Sequence, residues 1–185
     1  DEKSEINPKQ YFFAPNETDW KYKSVAASDN TNYANVEKSG WSVGKSPFGD
    51  RDFGAPGVYG FPTKPATIIQ QQTILWAESY IDINDLNQSF VFESYVDNGI
   101  TLWVNGIQVL TNYNANAHYF SQNIAPSYFS LGLNRITIKC VDDGGGVHSG
   151  NWIWFDLRLK DNTAKEADIN PAHIIRECLT NQVWG

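Results

Sequence analysis

Apolar and polar residues alternate along several stretches of this chain, and a two-residue period is typical of a half-buried β-strand. In one such stretch Ile136, Ile138 and Cys140 share a face, so that face is predicted to point into a core. Near the end of the chain, Phe155 and Leu157, with the apolar residues two positions before and after them, form a second apolar face. The stretches with this pattern are Trp20–Ser24, Ile74–Ile81, Ser89–Val96, Arg135–Val141 and Trp152–Lys160.

A β-hairpin is predicted around Asn105 and Gly106, which separate the apolar runs Ile100–Val104 and Ile107–Leu110. Asn-Gly suits a two-residue hairpin turn because both residues tolerate positive φ.

The segments between these strands are rich in turn residues and contain no helical pattern. Residues 28–66 carry many Gly, Pro, Asn and Asp, and are predicted to be mostly loop. About eight strands joined in this way indicate an all-β, antiparallel jelly-roll β-sandwich over residues 20–162. Residues 1–19 are polar and punctuated by Pro, which favours an extended lead-in.

The last segment, residues 163–185, changes to a helical pattern and is predicted to be a linker with a short C-terminal helix. Asn170 suits the N-cap and Pro171 the first turn. An apolar stripe follows at helical spacing, which a short helix cannot bury alone. We therefore expect it to pack on the sandwich or on a neighbouring domain. The stripe consists of Ile174, Ile175, Cys178 and Leu179.

Composition narrows the list of partners. The formal net charge is -7 and the 14 basic residues are scattered, so a nucleic-acid surface is not expected. No apolar run approaches the roughly 18 residues of a spanning helix, so no membrane insertion is expected. The chain has no Met, and we expect it to be part of a longer protein.

Residues that could carry chemistry are few and far apart. His118, His148 and His173 have no metal-ligand spacing, and no catalytic motif is present, so we expect no enzyme activity. The two cysteines are expected to be free, buried thiols.

Asp142 and Asp143, which precede three glycines, allow two interpretations. They could help to bind a structural calcium ion, which needs six to eight oxygen ligands. They could equally belong to a tight turn in which glycine supplies positive φ. Beyond this calcium ion, no cofactor is expected.

Aromatic residues, 14% of the chain, are the most suggestive feature. Trp152 and Trp154 lie on the face of the last strand opposite to its apolar face, so they are predicted to be exposed and to stack on a sugar. The alternative is that a loop or the C-terminal helix covers them. Tyr59, in a glycine-rich loop, could contact a ligand or plug the end of the sandwich. Trp41, Trp76 and Trp103 are expected to pack inside or at strand edges.

The chain from Trp41 to Leu159 resembles galactose-binding-like β-sandwich domains, which are attached to many glycoside hydrolases. That resemblance implies a jelly-roll fold. Many members bind carbohydrate and others serve as spacers, but the matching motifs are architectural and carry over no sugar-binding residue. The matching pieces are residues 41–49, 100–106, 132–139 and 155–157.

A second resemblance covers residues 169–185 only. This segment looks like part of the tail-tip (hub, or host-specificity) proteins of long-tailed bacteriophages, with an Asn-Pro-Ala helix, a later Leu-Thr and an aromatic-Gly pair. It implies neighbouring hub domains as partners and a location in the phage tail of the virion.

Together these patterns favour a non-catalytic sandwich module of a phage or prophage tail-tip protein that binds host cell-surface polysaccharide. Two alternatives remain. One is an accessory carbohydrate-binding or spacer domain of an extracellular glycoside hydrolase. The other is a structural tail module without a ligand.

Overall fold

The computed structural model describes residues 11–13, 15–49, 64–69, 74–114, 116–142 and 154–161. Besides strands, these ranges contain short 3₁₀ turns at Tyr33–Asn35 and Pro126–Tyr128. The strands, numbered in chain order, are β1 Tyr11–Phe13, β2 Asp19–Val25, β3 Ser42–Lys45, β4 Phe48–Gly49, β5 Thr67–Ile68, β6 Ile74–Ile83, β7 Phe90–Val96, β8 Gly99–Val104, β9 Ile107–Tyr113, β10 His118–Ile124, β11 Gly132–Val141 and β12 Trp154–Asp161.

These strands form two sheets that pack face to face. The first sheet has the order β10-β7-β12-β4-β5, and β1 also pairs with β12. The second sheet has the order β3-β2-β6-β11-β8-β9. Pairing between the described strands is antiparallel except for the parallel pair β4 and β5. The predicted all-β sandwich is confirmed, whereas the helix predicted within residues 163–185 lies outside the described residues.

The core lies between the sheets, and the alternation along the strands supplies it. Ile136 and Ile138 of β11 are buried, as are Phe155 and Leu157 of β12. Each such side chain contributes about 1.5–3 kcal/mol through burial. Cys140 is a buried free cysteine, and burial raises the pKa of its thiol well above the usual value.

The predicted hairpin is confirmed at the β8–β9 turn. Asn105 and Gly106 have φ values of 52° and 83°, the left-handed conformation that this turn requires. The Asn105 side chain accepts a hydrogen bond from the backbone N–H of Arg135 and donates one to Asn134, so the turn is tied to β11.

Five strands lie where the hydrophobic pattern predicts no strand, namely β1, β3, β4, β5 and β10. Four of them span only two to four residues, too few to show a period. The fifth, β10, is longer but largely exposed, and its pairing with β7 defines it. Phe13 of β1 is buried in the core, so the sandwich begins before residue 20.

The outer face of the second sheet is covered by residues 26–41, which we call the covering loop. Tyr33 and Ala34 of this loop pack with Trp76 and Trp103 of the sheet in a second apolar cluster. A buried ion pair between Lys38 Nζ and Glu78 Oε2, 2.8 Å long, fastens the loop to β6. The loop and this sheet face therefore form one packed layer outside the main core.

Candidate functional site

Side chains from four strands meet on the outer face of the second sheet. The strand register places Trp76 of β6 opposite Lys139 of β11, and Lys139 opposite Thr101 of β8. Opposite residues in antiparallel strands have Cβ atoms about 4.5–5.5 Å apart, so these three side chains lie in one row. Next to this row, Trp103 of β8 lies opposite Gln108 of β9.

Two tryptophans form the floor of this region. The rings of Trp76 and Trp103 are stacked with centroids 5.2 Å apart, and Tyr33 meets Trp76 at a steep angle, 5.6 Å away. The exposed fractions are 2% for Trp76 and 7% for Trp103. Their flat faces are therefore used in packing, and a ligand here would meet mainly ring edges.

The covering loop forms one wall, and its own hydrogen bonds fix it. Asn32 accepts a hydrogen bond from the backbone N–H of Ala34 and so caps the 3₁₀ turn. Asp29 accepts from the backbone N–H of Thr31 and from the hydroxyl of Tyr33. The hydrogen bonds from Thr31, with a smaller contribution from Tyr33, lower the pKa of Asp29.

Together, floor and wall enclose a groove of about 270 Å³, which we call the tryptophan groove. Its lining combines aromatic ring edges with amide, hydroxyl and ammonium groups, the mixture expected of a small-molecule site. The lining residues are Asn30, Thr31, Asn32, Trp76, Thr101, Trp103, Gln108 and Lys139.

One polar group of the groove is buried without a partner. The indole Nε1–H of Trp76 has no hydrogen-bond acceptor among the described residues. A buried, unpaired donor of this kind costs about 1–3 kcal/mol.

A smaller cavity, of about 130 Å³, lies on the outer face of the first sheet. Asp156 on its wall is 3% exposed, and desolvation raises the pKa of its carboxyl even though Arg158 and the Leu157 amide oppose the shift. Glu93 shows the reverse. Desolvation is the largest single influence and raises its pKa, but the hydrogen bonds from Lys160 and Tyr119, together with the positive charges of Lys160 and Arg158, outweigh it and lower the pKa.

A third hollow, of about 440 Å³, lies beside β2 and is bordered by Trp41, Ile68 and Ile69. The tryptophan groove has a floor of stacked tryptophans and a wall fixed by hydrogen bonds, so it is the better-defined site.

Trp154, predicted to be exposed, is fully buried, and that prediction is wrong. It does point away from the main core, but Tyr95 packs edge-on against its ring with centroids 5.4 Å apart, and Ala117 contacts it too. Tyr95 of the first sheet and Ala117 of the β9–β10 connection thus cover it. Because its ring is covered, Trp154 has no open face on which a sugar could stack.

The other predicted site residues are only partly described. Trp152, Tyr59 and Asp143 lie outside the described residues. Asp142 is 3% exposed, and the described ranges contain no group of three or more possible His, Cys, Asp or Glu metal ligands. The calcium interpretation of Asp142 and Asp143 stays a prediction.

The sequence patterns do not identify the groove residues as one site, because these residues come from separate parts of the chain. Trp76 and Trp103 are expected from the sequence to pack inside the sandwich or at strand edges. Both are buried, but on the outer face of the second sheet beneath the covering loop. Their closeness to Lys139 depends on the strand order β6-β11-β8, which no local pattern specifies.

The sandwich is similar in fold to parts of solved glycosidases. Over 83% of this chain it matches a calcium-binding mutant of Bacteroides uniformis beta-glucuronidase 2, with TM-score 0.56 and 10% identity. Over 82% it matches a putative beta-galactosidase from Bacteroides fragilis (TM-score 0.52, 16% identity) and a beta-glucuronidase from glycoside hydrolase family 2 (TM-score 0.52, 15% identity).

The matched region is a minor part of each of these enzymes, 18%, 23% and 17% of the respective chains. No protein-family model and no curated protein sequence matches this chain. At such low identity the likeness shows the fold alone. The chain has the fold of a β-sandwich portion found within glycoside hydrolases. No helix in the described ranges is long and apolar enough to cross a membrane.

Proposed function

We propose that this chain is a non-catalytic accessory module of a glycoside hydrolase and that the tryptophan groove holds a sugar residue. The fold similarity to portions of glycosidases supports the first part. The groove, with its aromatic edges, polar rim and unpaired Trp76 donor, supports the second. The observation that carries the proposal is this combination on one face of the sandwich.

Sugar binding in the groove would rely on hydrogen bonds more than on stacking. Asn30 and Gln108 are exposed at its rim, and Thr101 and Lys139 are partly buried beside the tryptophans. Each hydrogen bond contributes about 0.5–1.5 kcal/mol, so a single site of this size is expected to bind weakly. Several copies on one polysaccharide would bind more tightly through avidity.

The test is calorimetric titration with neutral tetrasaccharides (cello-, xylo-, manno- and galacto-series) and acidic ones made of uronic acids. We expect at least one to bind at millimolar concentration. The double variant Asn30→Ala/Gln108→Ala removes two rim groups, about 2 kcal/mol in total, and is expected to weaken binding about thirtyfold.

The matched control is Gln122→Ala, at an exposed position on β10 of the opposite sheet, which should bind as the unaltered protein does. If no tetrasaccharide binds at millimolar concentration, or if the double variant binds normally, the groove is not a sugar site.

The placement in a phage tail-tip protein that binds host polysaccharide is a second candidate. The resemblance of residues 169–185 to tail-tip proteins favours it, and this segment lies outside the described residues. The sugar-binding part of the proposal is the same in both settings, so the groove variants test it in either parent protein.

A further inference from the structure

We propose that the tryptophan groove selects a sugar residue that carries a carboxylate, and that Lys139 pairs with this carboxylate. This inference rests on the proposed sugar-binding function and adds the chemical class of the ligand. It is carried by three observations: the charge of the groove, the position of Lys139, and the groups left without hydrogen-bond partners.

The charge of the groove is opposite to that of the chain. Lys139 is the single ionic side chain among the eight described residues that line the groove, and none of these eight is Asp or Glu. The chain as a whole has a formal net charge of -7. The nearby carboxylate of Asp29 is already engaged by Thr31 and Tyr33. A local cationic spot on an acidic protein favours an anionic ligand.

Lys139 is held in the groove and has no carboxylate partner within the described ranges. Its ammonium lies 5.6 Å from the centroid of the Trp76 ring, and its side chain is half-buried in the row between Trp76 and Thr101. The ion pairs of the described residues use other cations, namely Lys38, Lys45, Arg158 and Lys160. A ligand carboxylate at Lys139 would therefore displace no internal ion pair.

The hydrogen bonds within the groove leave donors on Asn32, Thr101 and Trp76, while Gln108, which donates to Thr111, keeps its side-chain oxygen as an acceptor. The Asn32 side-chain oxygen is taken by the Ala34 amide, which leaves its NH₂ group. The Thr101 hydroxyl oxygen accepts from Thr111, which in turn accepts from Gln108. The Trp76 Nε1–H has no acceptor. Acceptor-only oxygens suit such a site, and a carboxylate forms the strongest hydrogen bonds of this kind.

The experiment compares each acidic tetrasaccharide with its own methyl ester. Tetramers of galacturonate, glucuronate and mannuronate are titrated as free acids and as esters, so only the charge changes. We expect at least one free acid to bind about tenfold or more tightly than its ester, the usual advantage of a charge-assisted hydrogen bond.

Lys139→Gln should abolish this preference, and Lys139→Arg, which keeps the charge, should retain most of it. Lys21→Gln is the matched control, because Lys21 is an exposed lysine on the same sheet and does not line the groove. Thermal melting checks that each variant is folded.

The outcomes separate this inference from the proposed function. If neutral sugars or esters bind as well as the acids, or if Lys139→Gln leaves the preference unchanged, the selectivity for carboxylates is refuted while sugar binding stands. If no sugar of either kind binds, both proposals fall.

Discussion

Trp154 packs on the outer face of β12 against Tyr95, and Gly49 lies opposite it on β4. A Cβ atom at Gly49 would come within 3.1 Å of the indole ring, so the space around Trp154 is closely filled. Removing a ring from such a site leaves a cavity whose lining loses contacts on one side.

We expect Trp154→Ala to lower the free energy of unfolding by about 3–5 kcal/mol, as for other buried large-to-small changes. Urea denaturation measures this change. Leu133→Ala is the control, since Leu133 is 69% exposed and its loss should change stability by no more than about 0.5 kcal/mol. A loss below about 1 kcal/mol for Trp154→Ala would mean that the ring is not packed, and would restore it as a sugar-stacking candidate.

Asp156 and Glu93 should respond to pH in opposite ways. Burial raises the pKa of Asp156 above its usual 3.8, so the folded state keeps a proton that the unfolded state has lost, and ionisation destabilises the fold as pH rises. The pKa of Glu93 lies below its usual 4.5, so its ionised form stabilises the fold, and this stabilisation disappears as pH falls.

The prediction compares Asp156→Asn and Glu93→Gln by urea denaturation at about pH 3 and about pH 7. The free energy of unfolding of each variant is compared with that of the unaltered protein. On going to the higher pH, this difference should shift in favour of the Asp156→Asn variant and against the Glu93→Gln variant. If both variants shift in the same direction with pH, the assignment of the two pKa directions is wrong.

For a single residue, the sequence predicts the direction in which the side chain points from its strand better than its exposure to solvent. Alternation correctly indicates that Trp154 points away from the main core. Whether such a side chain meets solvent depends on Tyr95 of β7 and on Ala117 in the connection between β9 and β10. The same holds for Lys139, whose place beside Trp76 is set by strand order.

The covering loop is the element on which the tryptophan groove depends. Lys38 and Glu78 are both almost fully buried, and Glu78 also accepts a hydrogen bond from the Thr137 hydroxyl. Losing one partner of such a pair leaves an uncompensated buried charge.

We expect Lys38→Ala to lower the free energy of unfolding by about 3–5 kcal/mol, and the double variant Lys38→Met/Glu78→Gln to recover much of the loss. The control is Lys45→Ala, which breaks the exposed 3.7 Å pair with Asp19 and should cost at most about 1 kcal/mol. Chemical denaturation of the four proteins measures these differences. Equal losses for Lys38→Ala and Lys45→Ala would contradict the anchoring role of Lys38.

Elements with a clear hydrophobic period were predictable, including β6, β7, β11 and the β8–β9 hairpin. The short strands were not, because Phe48–Gly49 is too brief to show a period and forms by pairing with β12. The covering loop was predicted only as loop. Its role comes from the Lys38–Glu78 pair, which joins residues forty positions apart.

For the whole molecule, the two candidate functions differ in the parent protein to which the module would belong. The chain matches less than a quarter of the Bacteroides enzymes to which its fold is similar. Reading the gene on either side of this segment distinguishes a glycoside hydrolase, with a catalytic domain next to the module, from a phage tail-tip protein among other tail genes.

The central claim, that the tryptophan groove binds a sugar, is tested most directly at the Trp76 indole N–H. Its signal in a ¹H–¹⁵N spectrum, assigned through Trp76→Phe, is followed while the neutral and acidic tetrasaccharides are added. We predict that at least one sugar shifts this signal, while the indole signals of Trp20 and Trp154, which lie outside the groove lining, stay in place. If every sugar leaves the Trp76 signal unmoved at millimolar concentration, the groove is not the binding site and the account is contradicted.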